Sequence, residues 1–352
     1  EPIKPKKQRL RWNAKEVEKG DYEYFMLKEI YEQPRVIADI AASGSGQVQK
    51  IADFIKKTEN IYMVGCGTAS YAGIAGEYLF SKIAKRHVNV SIGSEFGYDL
   101  DFLTKKSLVV AISQSGETMD VLESVKKAKA RGATILALVN VLGSTLYREA
   151  DKKILIGAGP EIGVASTKAF IGMLAHLVLL AYALIDKMDD GIKALTMAVK
   201  STESILTDAN VKRLMLLVKK LKTKNHIFVI GRGLSYPTAL ETALKIKEIS
   251  YIHAEGLAAG ELKHGTLALV TQGTPCIVFL PNDETYSANL AAAMEMKARG
   301  GYIVGISNKS NDVFDDFIKV DDAGEATIIP NVVVAQLLAY YLTIERGFDH
   351  DM

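Results

Sequence analysis

Residues 61–67 read IYMVGCG and residues 227–233 read IFVIGRG, so one apolar run with the same glycine spacing occurs twice, 166 residues apart. Two further apolar runs recur 168 residues later, 109–113 at 277–281 and 135–140 at 303–308. Segments with helical patterns lie between these runs, and such alternation is typical of parallel sheets with crossover helices. The sequence therefore predicts an α/β chain of two tandem copies of one domain, each a parallel sheet flanked by helices.

Length, charge and cysteine content narrow the class of protein. The 352 residues suit two domains, and 43 Lys and Arg against 41 Asp and Glu leave a net charge of +2, which argues against a basic nucleic-acid binder. Two cysteines, Cys66 and Cys276, cannot form a disulfide framework, so we expect a reducing, cytoplasmic setting. The longest apolar stretch, 169–185, is short for a membrane span and predicts a buried helix.

The ends of the chain and its polar segments indicate the domain arrangement. Residues 1–20 are polar, with prolines and basic side chains near the start, and a solvated linker is favoured over a basic arm for nucleic acid. Because the first residue is Glu1, we expect the downstream half of a longer polypeptide. The predicted domains are 21–202 and 203–352, with the polar stretch 201–210 near their junction and a closing apolar helix over 332–344.

A hydroxyl-rich stretch, SQSGET at 113–118, follows a predicted strand where a helix should begin. Short hydroxyl donors, free backbone N–H groups and the helix dipole at such a junction suit a phosphate. The sequence has no lysine in the position typical of nucleoside triphosphatases, which argues against that class. The alternative is that Ser115 or Thr118 merely caps the helix; the order strand, turn, helix favours phosphate binding.

The glycine turns at 65–70 and 231–236 each resemble a dinucleotide loop that lacks its third glycine. We interpret both as tight strand-to-helix turns, the first facing a ligand, with Cys66 a small buried residue rather than a nucleophile. In the second repeat the residues PNDET at 281–285 stand in place of the hydroxyl stretch. Only the first domain is therefore expected to hold a phosphate in this way.

Three charged residues, Glu241, Lys245 and Glu248, fall on one face of a predicted helix. A carboxylate beside an ammonium can act as a positioned acid and base, but spacing alone favours a surface ion pair. His264 follows a small-residue segment, and a lone histidine is usually structural. No Cys/His cluster has metal-ligand spacing, so we expect no metal site.

Five ordered strings together resemble the glucosamine-6-phosphate synthase family, the glutamine:fructose-6-phosphate amidotransferases: CGTASYAG, SQSGET, EIGVASTKAF, ALKIKEISYIHAE and AAGELKHG, from Cys66, Ser113, Glu161, Ala243 and Ala258. The segment 20–34 is also similar to the family's interdomain entry. The resemblance implies two sugar-isomerase domains, the isomerase half of that enzyme, and residues 1–20 as the linker from a glutaminase domain. The implied reaction forms glucosamine 6-phosphate from fructose 6-phosphate and ammonia in hexosamine biosynthesis. Because this reaction needs a positioned base and an anchored phosphate, we expect no metal and no other cofactor.

The resemblance also implies roles for individual residues of this sequence. The implied catalytic group comprises the C1–C2 proton-transfer base, a ring-opening histidine supplied by the neighbouring subunit of a homodimer, and two supporting polar residues: Glu248, His264, Lys245 and Glu241. The implied substrate-binding group comprises residues that hold the sugar phosphate or line the sugar: Thr68, Ser113, Gln114, Ser115, Thr118, Val164 and Ser166. In the full-length enzyme the ammonia comes from glutamine.

The sequence departs from the family pattern in three places. Ala69 stands where many members have Ser, Thr266 replaces the usual Pro, and the sequence ends at Met352 without the family's lysine-bearing tail. Two alternatives stay open: a free-standing deaminase or deglycase of amino-sugar phosphates, and a sugar-phosphate sensor without turnover. A dinucleotide dehydrogenase is disfavoured because no complete glycine fingerprint is present.

Overall fold

The computed structural model describes residues 17–349, so most of the predicted linker 1–20 lies outside the described residues. The strands in this range are β1 (Asn60–Gly65), β2 (Asn89–Ile92), β3 (Ser107–Ser113), β4 (Thr134–Val139), β5 (Lys152–Leu155), β6 (His226–Gly231), β7 (His253–Ala258), β8 (Pro275–Leu280), β9 (Tyr302–Ser307) and β10 (Asp316–Lys319). The helices are α1 (Phe25–Tyr31), α2 (Gln33–Ser43), α3 (Ser45–Ile55), α4 (Thr68–Lys82), α5 (Gly93–Phe96), α6 (Met119–Ala130), α7 (Thr145–Glu149), α8 (Lys168–Ala183), α9 (Met188–Ile205), α10 (Asp208–Leu221), α11 (Ser235–Ser250), α12 (Tyr286–Ala298) and α13 (Ile328–Glu345).

The strands form two parallel sheets with the same topology. The first has the order β2-β1-β3-β4-β5, and the second, read from its other edge, has the equivalent order β7-β6-β8-β9-β10. The three runs that repeat in the sequence form β1, β3 and β4 in the first sheet and β6, β8 and β9 in the second. The prediction of two α/β repeats with parallel sheets is therefore confirmed.

The central strands were recognisable because helices cover both of their faces. All seven residues of β3 and all six of β8 are buried, which produces the continuous apolar runs seen in the sequence. The edge strand β2 has exposed residues at both ends and half-buried residues between them, and it carries a much weaker signal. Each sheet therefore gains edge strands that the sequence analysis did not identify.

Two apolar helices lie deep in the molecule. The stretch 169–185 forms most of α8, whose residues are almost all buried, so the predicted buried helix is confirmed. The closing helix α13 starts at Ile328, slightly before the predicted stretch. With the short turn before it, α13 is the one helix among residues 17–349 that is long and apolar enough to cross a membrane, yet 89% of that apolar window is buried inside the protein.

The two repeats pack closely through helices that follow equivalent strands. Helix α11 contacts both α4 and α13, so a helix of the second repeat lies against the first. A hydrogen bond crosses between the repeats where Thr68 Oγ1 donates to Glu241 Oε1 at 3.3 Å. The predicted boundary between residues 202 and 203 falls in the last turn of α9; α10 starts at Asp208, and the boundary itself remains a prediction.

Candidate active site

The direction in which successive strands are added to the first sheet reverses between β1 and β3, although all the strands are parallel. From β1 the chain passes to β2 on one side and then to β3 on the other, and ligands of open parallel sheets bind at such a switch point, beyond the carboxyl ends of the strands. A cleft of about 220 Å³ lies there. Its lining residues are Cys66, Thr68, Ala69, Ile112, Ser113, Gln114, Ser115, Thr118, Val164, Ser166, Met173, Lys245 and Glu248.

The hydroxyl loop 113–118 forms one wall of this cleft. Its backbone turns sharply at Gly116, which has a φ of 70° and no room for a Cβ atom, because one would lie 2.2 Å from Ser144 Oγ. Gly116 N–H donates to Ser113 Oγ at 3.0 Å, and Ser113 Oγ lies 3.3 Å from Thr118 Oγ1. These contacts fix the loop with its hydroxyls gathered at the carboxyl end of β3.

Helix α6 begins directly after this loop, and its first turn is not capped by the loop's hydroxyls. Thr118 occupies the position before the helix, but its side chain makes no capping hydrogen bond; Ser115 Oγ instead accepts from Glu117 N–H at 3.2 Å. The alternative interpretation of Ser115 or Thr118 as a helix cap is therefore wrong. The free N–H groups of the first turn and the hydroxyls are both available to an anion.

The second repeat supplies the opposite wall through α11. Lys245 Nζ lies 2.6 Å from Glu248 Oε2 and 3.6 Å from Glu241 Oε1. The side chains of Glu241 and Lys245 are 0% and 1% exposed, whereas that of Glu248 is 32% exposed and reaches the cleft. The interpretation of Glu241 and Lys245 as a surface pair is wrong, because the packing of α11 against α4 buries the face that carries them.

Burial and the neighbouring charges shift the pKa values of Glu241 and Lys245 in opposite directions. Burial raises the pKa of Glu241 to about 7, although the neighbouring Lys245 ammonium and the Thr68 hydroxyl act to lower it. Burial alone would lower the pKa of Lys245, but the two carboxylates Glu241 and Glu248 outweigh it and the pKa is raised. Lys245 is therefore a buried ammonium that holds the more exposed Glu248 carboxylate in one orientation.

A third wall comes from the segment between β5 and α8, where Val164 and Ser166 line the cleft. Ser166 Oγ donates to Glu161 Oε2 at 3.0 Å, and Glu161 Oε1 accepts from the N–H groups of Thr167 at 2.8 Å and Ala169 at 3.0 Å. Glu161 thus binds the N-terminus of α8 and orients Ser166. Glu161 lies within a recognised string, but nothing in its spacing indicated this role.

Among the predicted site residues, His264 is the one that lies neither in the cleft nor in the ion-pair cluster behind it. It is exposed at the end of a short 3-10 turn, Ala259–His264, after β7. Cys66 is half-buried and lines the cleft, so it is less buried than expected; burial, then the Asp120 charge, raises the pKa of its thiol, which disfavours a thiolate nucleophile. Residues 17–349 contain no group of three or more His, Cys, Asp or Glu placed to hold a metal ion.

The second repeat has a cleft at the equivalent place, with a volume of about 330 Å³. It lies beyond β8, where the residues of the PNDET stretch replace the hydroxyl loop. Its lining residues are Lys82, Leu234, Ser235, Pro281, Asn282, Asp283, Glu284, Asp322, Gly324, Glu325, Thr327, Ile328 and Asn331. The two clefts are related by the repeat: α11 reaches into the first, and Lys82, at the end of α4, reaches into the second.

Comparison with known proteins places this architecture in a family. The SIS domain family matches residues 54–183 and 220–346. The glutamine–fructose-6-phosphate aminotransferase (isomerizing) of Pyrococcus horikoshii is 40% identical over 349 residues, covering 97% of this chain and 58% of the relative. The same enzyme of Thermococcus kodakarensis is 41% identical over 361 residues, again covering 97% and 58%. The chain thus spans less than two thirds of the length of these relatives.

Solved structures match the whole fold. The C-terminal domain of glucosamine-fructose-6-phosphate aminotransferase from Francisella tularensis superimposes with a TM-score of 0.85 at 36% identity, covering 95% of this chain and 99% of that one. A glucosamine-6-phosphate deaminase from Thermotoga maritima has a TM-score of 0.75 at 21% identity, covering 93% of this chain and 97% of that one, which shows a shared fold alone.

Proposed function

This chain belongs to the SIS domain family and, within it, to the C-terminal domains of the glucosamine–fructose-6-phosphate aminotransferases, and we propose that it converts fructose 6-phosphate and ammonia to glucosamine 6-phosphate in amino-sugar biosynthesis. The observation that carries the proposal is the meeting, in one cleft, of the hydroxyl loop of one repeat with the Lys245–Glu248 pair of the other. In a longer enzyme the ammonia would come from glutamine, and we place the reaction in the cytoplasm.

The hydroxyl loop is proposed to bind the phosphate. Ser113, Ser115 and Thr118 present hydroxyls, Gln114 an amide, and the first turn of α6 its N–H groups. These donors are neutral, so affinity depends on several hydrogen bonds acting together with the helix dipole. Thr68, Val164 and Ser166 then border the space left for the sugar.

Glu248 is proposed to move the proton. After the sugar opens to its ketone, ammonia adds at C2 and water leaves; a base must then take a proton from C1 and return it to C2, which yields the 2-amino aldose. Glu248 is the carboxylate that lines the cleft. Lys245 Nζ lies 2.6 Å from Glu248 Oε2 and fixes the orientation of this carboxylate. Glu241 supports Lys245 from behind and takes part through that contact.

His264 is proposed to assist ring opening from the neighbouring subunit of a homodimer. Its exposed position outside the cleft of its own chain supports an action in trans. Mixing Glu248→Gln chains with His264→Ala chains should restore active sites, since one cleft in each mixed dimer would have both groups. Absence of activity in verified mixed dimers would assign His264 to its own subunit.

The direct test is mass spectrometry of fructose 6-phosphate incubated with ammonia and the 352-residue chain. Formation of glucosamine 6-phosphate is the expected result. The reverse reaction alone, with release of ammonia from glucosamine 6-phosphate under all conditions, would favour the deaminase alternative. Calorimetric binding of fructose 6-phosphate without any conversion would favour the sensor alternative. The buried Lys245 beside Glu248 argues against that alternative.

A further inference from the structure

A buried carboxylate from the first helix of the described chain holds the loop that carries Val164. Glu29, on α1, is 1% exposed, and its Oε1 accepts from the backbone N–H groups of Ile162 at 2.5 Å and Gly163 at 3.1 Å. These N–H groups lie at the tip of the sugar-facing loop, defined here as residues 161–166. Glu29 thus contacts the loop and is not among the residues that line the cleft.

Apolar packing anchors this loop at Ala165, which is buried in the core, but does not account for the position of its tip, residues 162–164. Ile162 is 42% exposed and Val164 is 56% exposed, so the two large apolar side chains of the tip are not anchored in the core. The tip also lies close to α1: a Cβ atom at Gly163 would be 2.9 Å from Glu29 Oε2 and 3.4 Å from the backbone of Met26. Hydrogen bonds from the N–H groups of Ile162 and Gly163 to Glu29 Oε1, with a glycine that permits the close approach of α1, therefore fix the tip.

Both acidic and basic side chains lie near Glu29. Glu161 lies on the loop itself, and Lys168, on α8, pairs with Glu32 Oε2 at 2.6 Å. Burial, then repulsion from Glu161, raises the pKa of Glu29 to about 7, against the two backbone hydrogen bonds and Lys168, which act to lower it. Glu29 Oε2 is buried without a hydrogen-bond partner. An apolar side chain at this position would leave the N–H groups of Ile162 and Gly163 without this acceptor.

We propose that Glu29 is a positioning residue that sets the sugar-facing loop, and through it Val164 and Ser166, in the conformation required for turnover. The inference rests on the proposed function for the identity of the substrate. Glu29 does not line the cleft, and its hydrogen bonds are made to the loop backbone. Since an oxygen acceptor is what the two N–H groups need, Glu29→Gln should preserve the effect in part and Glu29→Ala should abolish it.

Amide hydrogen exchange tests the loop without any substrate. In the 352-residue chain, Glu29→Ala should accelerate exchange in a peptide covering residues 161–167 by about 10-fold, because two hydrogen bonds of the tip lose their acceptor. Glu29→Gln should stay within about threefold of the unmodified chain. The matched control is Asn289→Ala, which removes a buried polar side chain of the second repeat and should leave this peptide unchanged.

Kinetics and binding then separate positioning from general destabilisation. Glu29→Ala should lower kcat about 10-fold while the calorimetric Kd for fructose 6-phosphate changes less than about threefold, since the phosphate anchor is untouched. Rescue by Glu29→Gln is expected. Unchanged loop exchange in a folded Glu29→Ala chain would overturn the inference, as would equal losses in Glu29→Ala and Asn289→Ala. If the unmodified chain lacks turnover, the proposed function fails, and the exchange result still decides what Glu29 does to the loop.

Discussion

The two clefts of this molecule occupy the same place in two copies of one fold, yet their linings differ in charge. The first has one lysine and one glutamate, Lys245 and Glu248, beside neutral hydroxyls and the amide of Gln114. The second has a single lysine, Lys82, beside four acids: Asp283, Glu284, Asp322 and Glu325. The backbone alone therefore does not determine what each cleft can bind.

The hydrogen bonds of the second loop make it a poor candidate for phosphate binding. Asp283 Oδ1 already accepts from Thr285 N–H at 2.8 Å and from Thr285 Oγ1 at 2.6 Å, so the loop's own donors are consumed by its acid. Lys82 is paired with Glu284 at 3.1 Å. A phosphate dianion there would meet several carboxylates and few free donors. Parallel sheets supply a position for a ligand, and the residues of one loop decide which ligand.

The largest difference between the clefts should appear in catalysis. Glu248→Gln removes the proposed base of the first cleft, and we expect kcat to fall about 1,000-fold, within the range typical of general acid–base catalysis. Exchange of the C1 proton with solvent, followed by NMR in ²H₂O, should stop while fructose 6-phosphate still binds. Glu284→Gln makes the same chemical change in the second cleft and should leave turnover unaltered. Comparable losses in both variants would remove the functional distinction between the two clefts.

A smaller difference is expected in binding. Ser113→Ala with Thr118→Ala should weaken binding of fructose 6-phosphate about 150-fold, because two hydrogen bonds to a charged group are lost at about 1.5 kcal/mol each, the lower end for such bonds. Calorimetry provides the measurement, and Thr285→Ala in the second loop is the control with no expected effect. The isotherm of the unmodified chain should fit one site per chain. Two equivalent sites would contradict the assignment of phosphate binding to the first repeat alone.

The smallest difference concerns pH and stability. The pKa of Glu241, behind the first cleft, is raised to about 7 by burial, so the folded state holds this proton more tightly than the unfolded chain does. Protonated Glu241 therefore stabilises the folded state at low pH, and this stabilisation is lost as the pH rises to about 7. The pKa of Glu29 is also raised to about 7, so Glu29 adds to the loss of stability over the same pH range. Glu241→Gln should reduce the fall in unfolding free energy between pH 5 and pH 8, by order of 1 kcal/mol.

The second cleft supplies the opposite control for that measurement. A backbone hydrogen bond and the Lys82 ion pair lower the pKa of Glu284, so its contribution is present above its ordinary pKa and is lost as the pH falls. In denaturant titrations, Glu284→Gln should not alter the difference in unfolding free energy between pH 5 and pH 8. A pH slope in the Glu241→Gln chain that matches the unmodified chain would refute the raised pKa of Glu241.

The sequence predicted the parts of the molecule in which a local pattern reflects burial on both sides. Strands such as β3 and β8 are continuous apolar runs, and their recurrence revealed two domains. The hydroxyl loop was recognisable because it follows such a strand. The burial of Lys245 was not predictable from spacing, because α11 is buried by α4 and α13, which are distant in sequence. Glu29 was missed for a similar reason: its partners lie 133 and 134 residues away.

The hydrogen bond between Thr68 and Glu241 has a consequence for how such a chain can evolve. If the first repeat supplies the proposed phosphate loop and the second supplies the proposed base Glu248, the two halves are not interchangeable. Recombination that exchanged a single half with a distant relative would separate Thr68 from Glu241 and the loop from Glu248. The inherited unit is therefore the pair of repeats, and we expect compensating substitutions to accumulate across their shared surface rather than within either half.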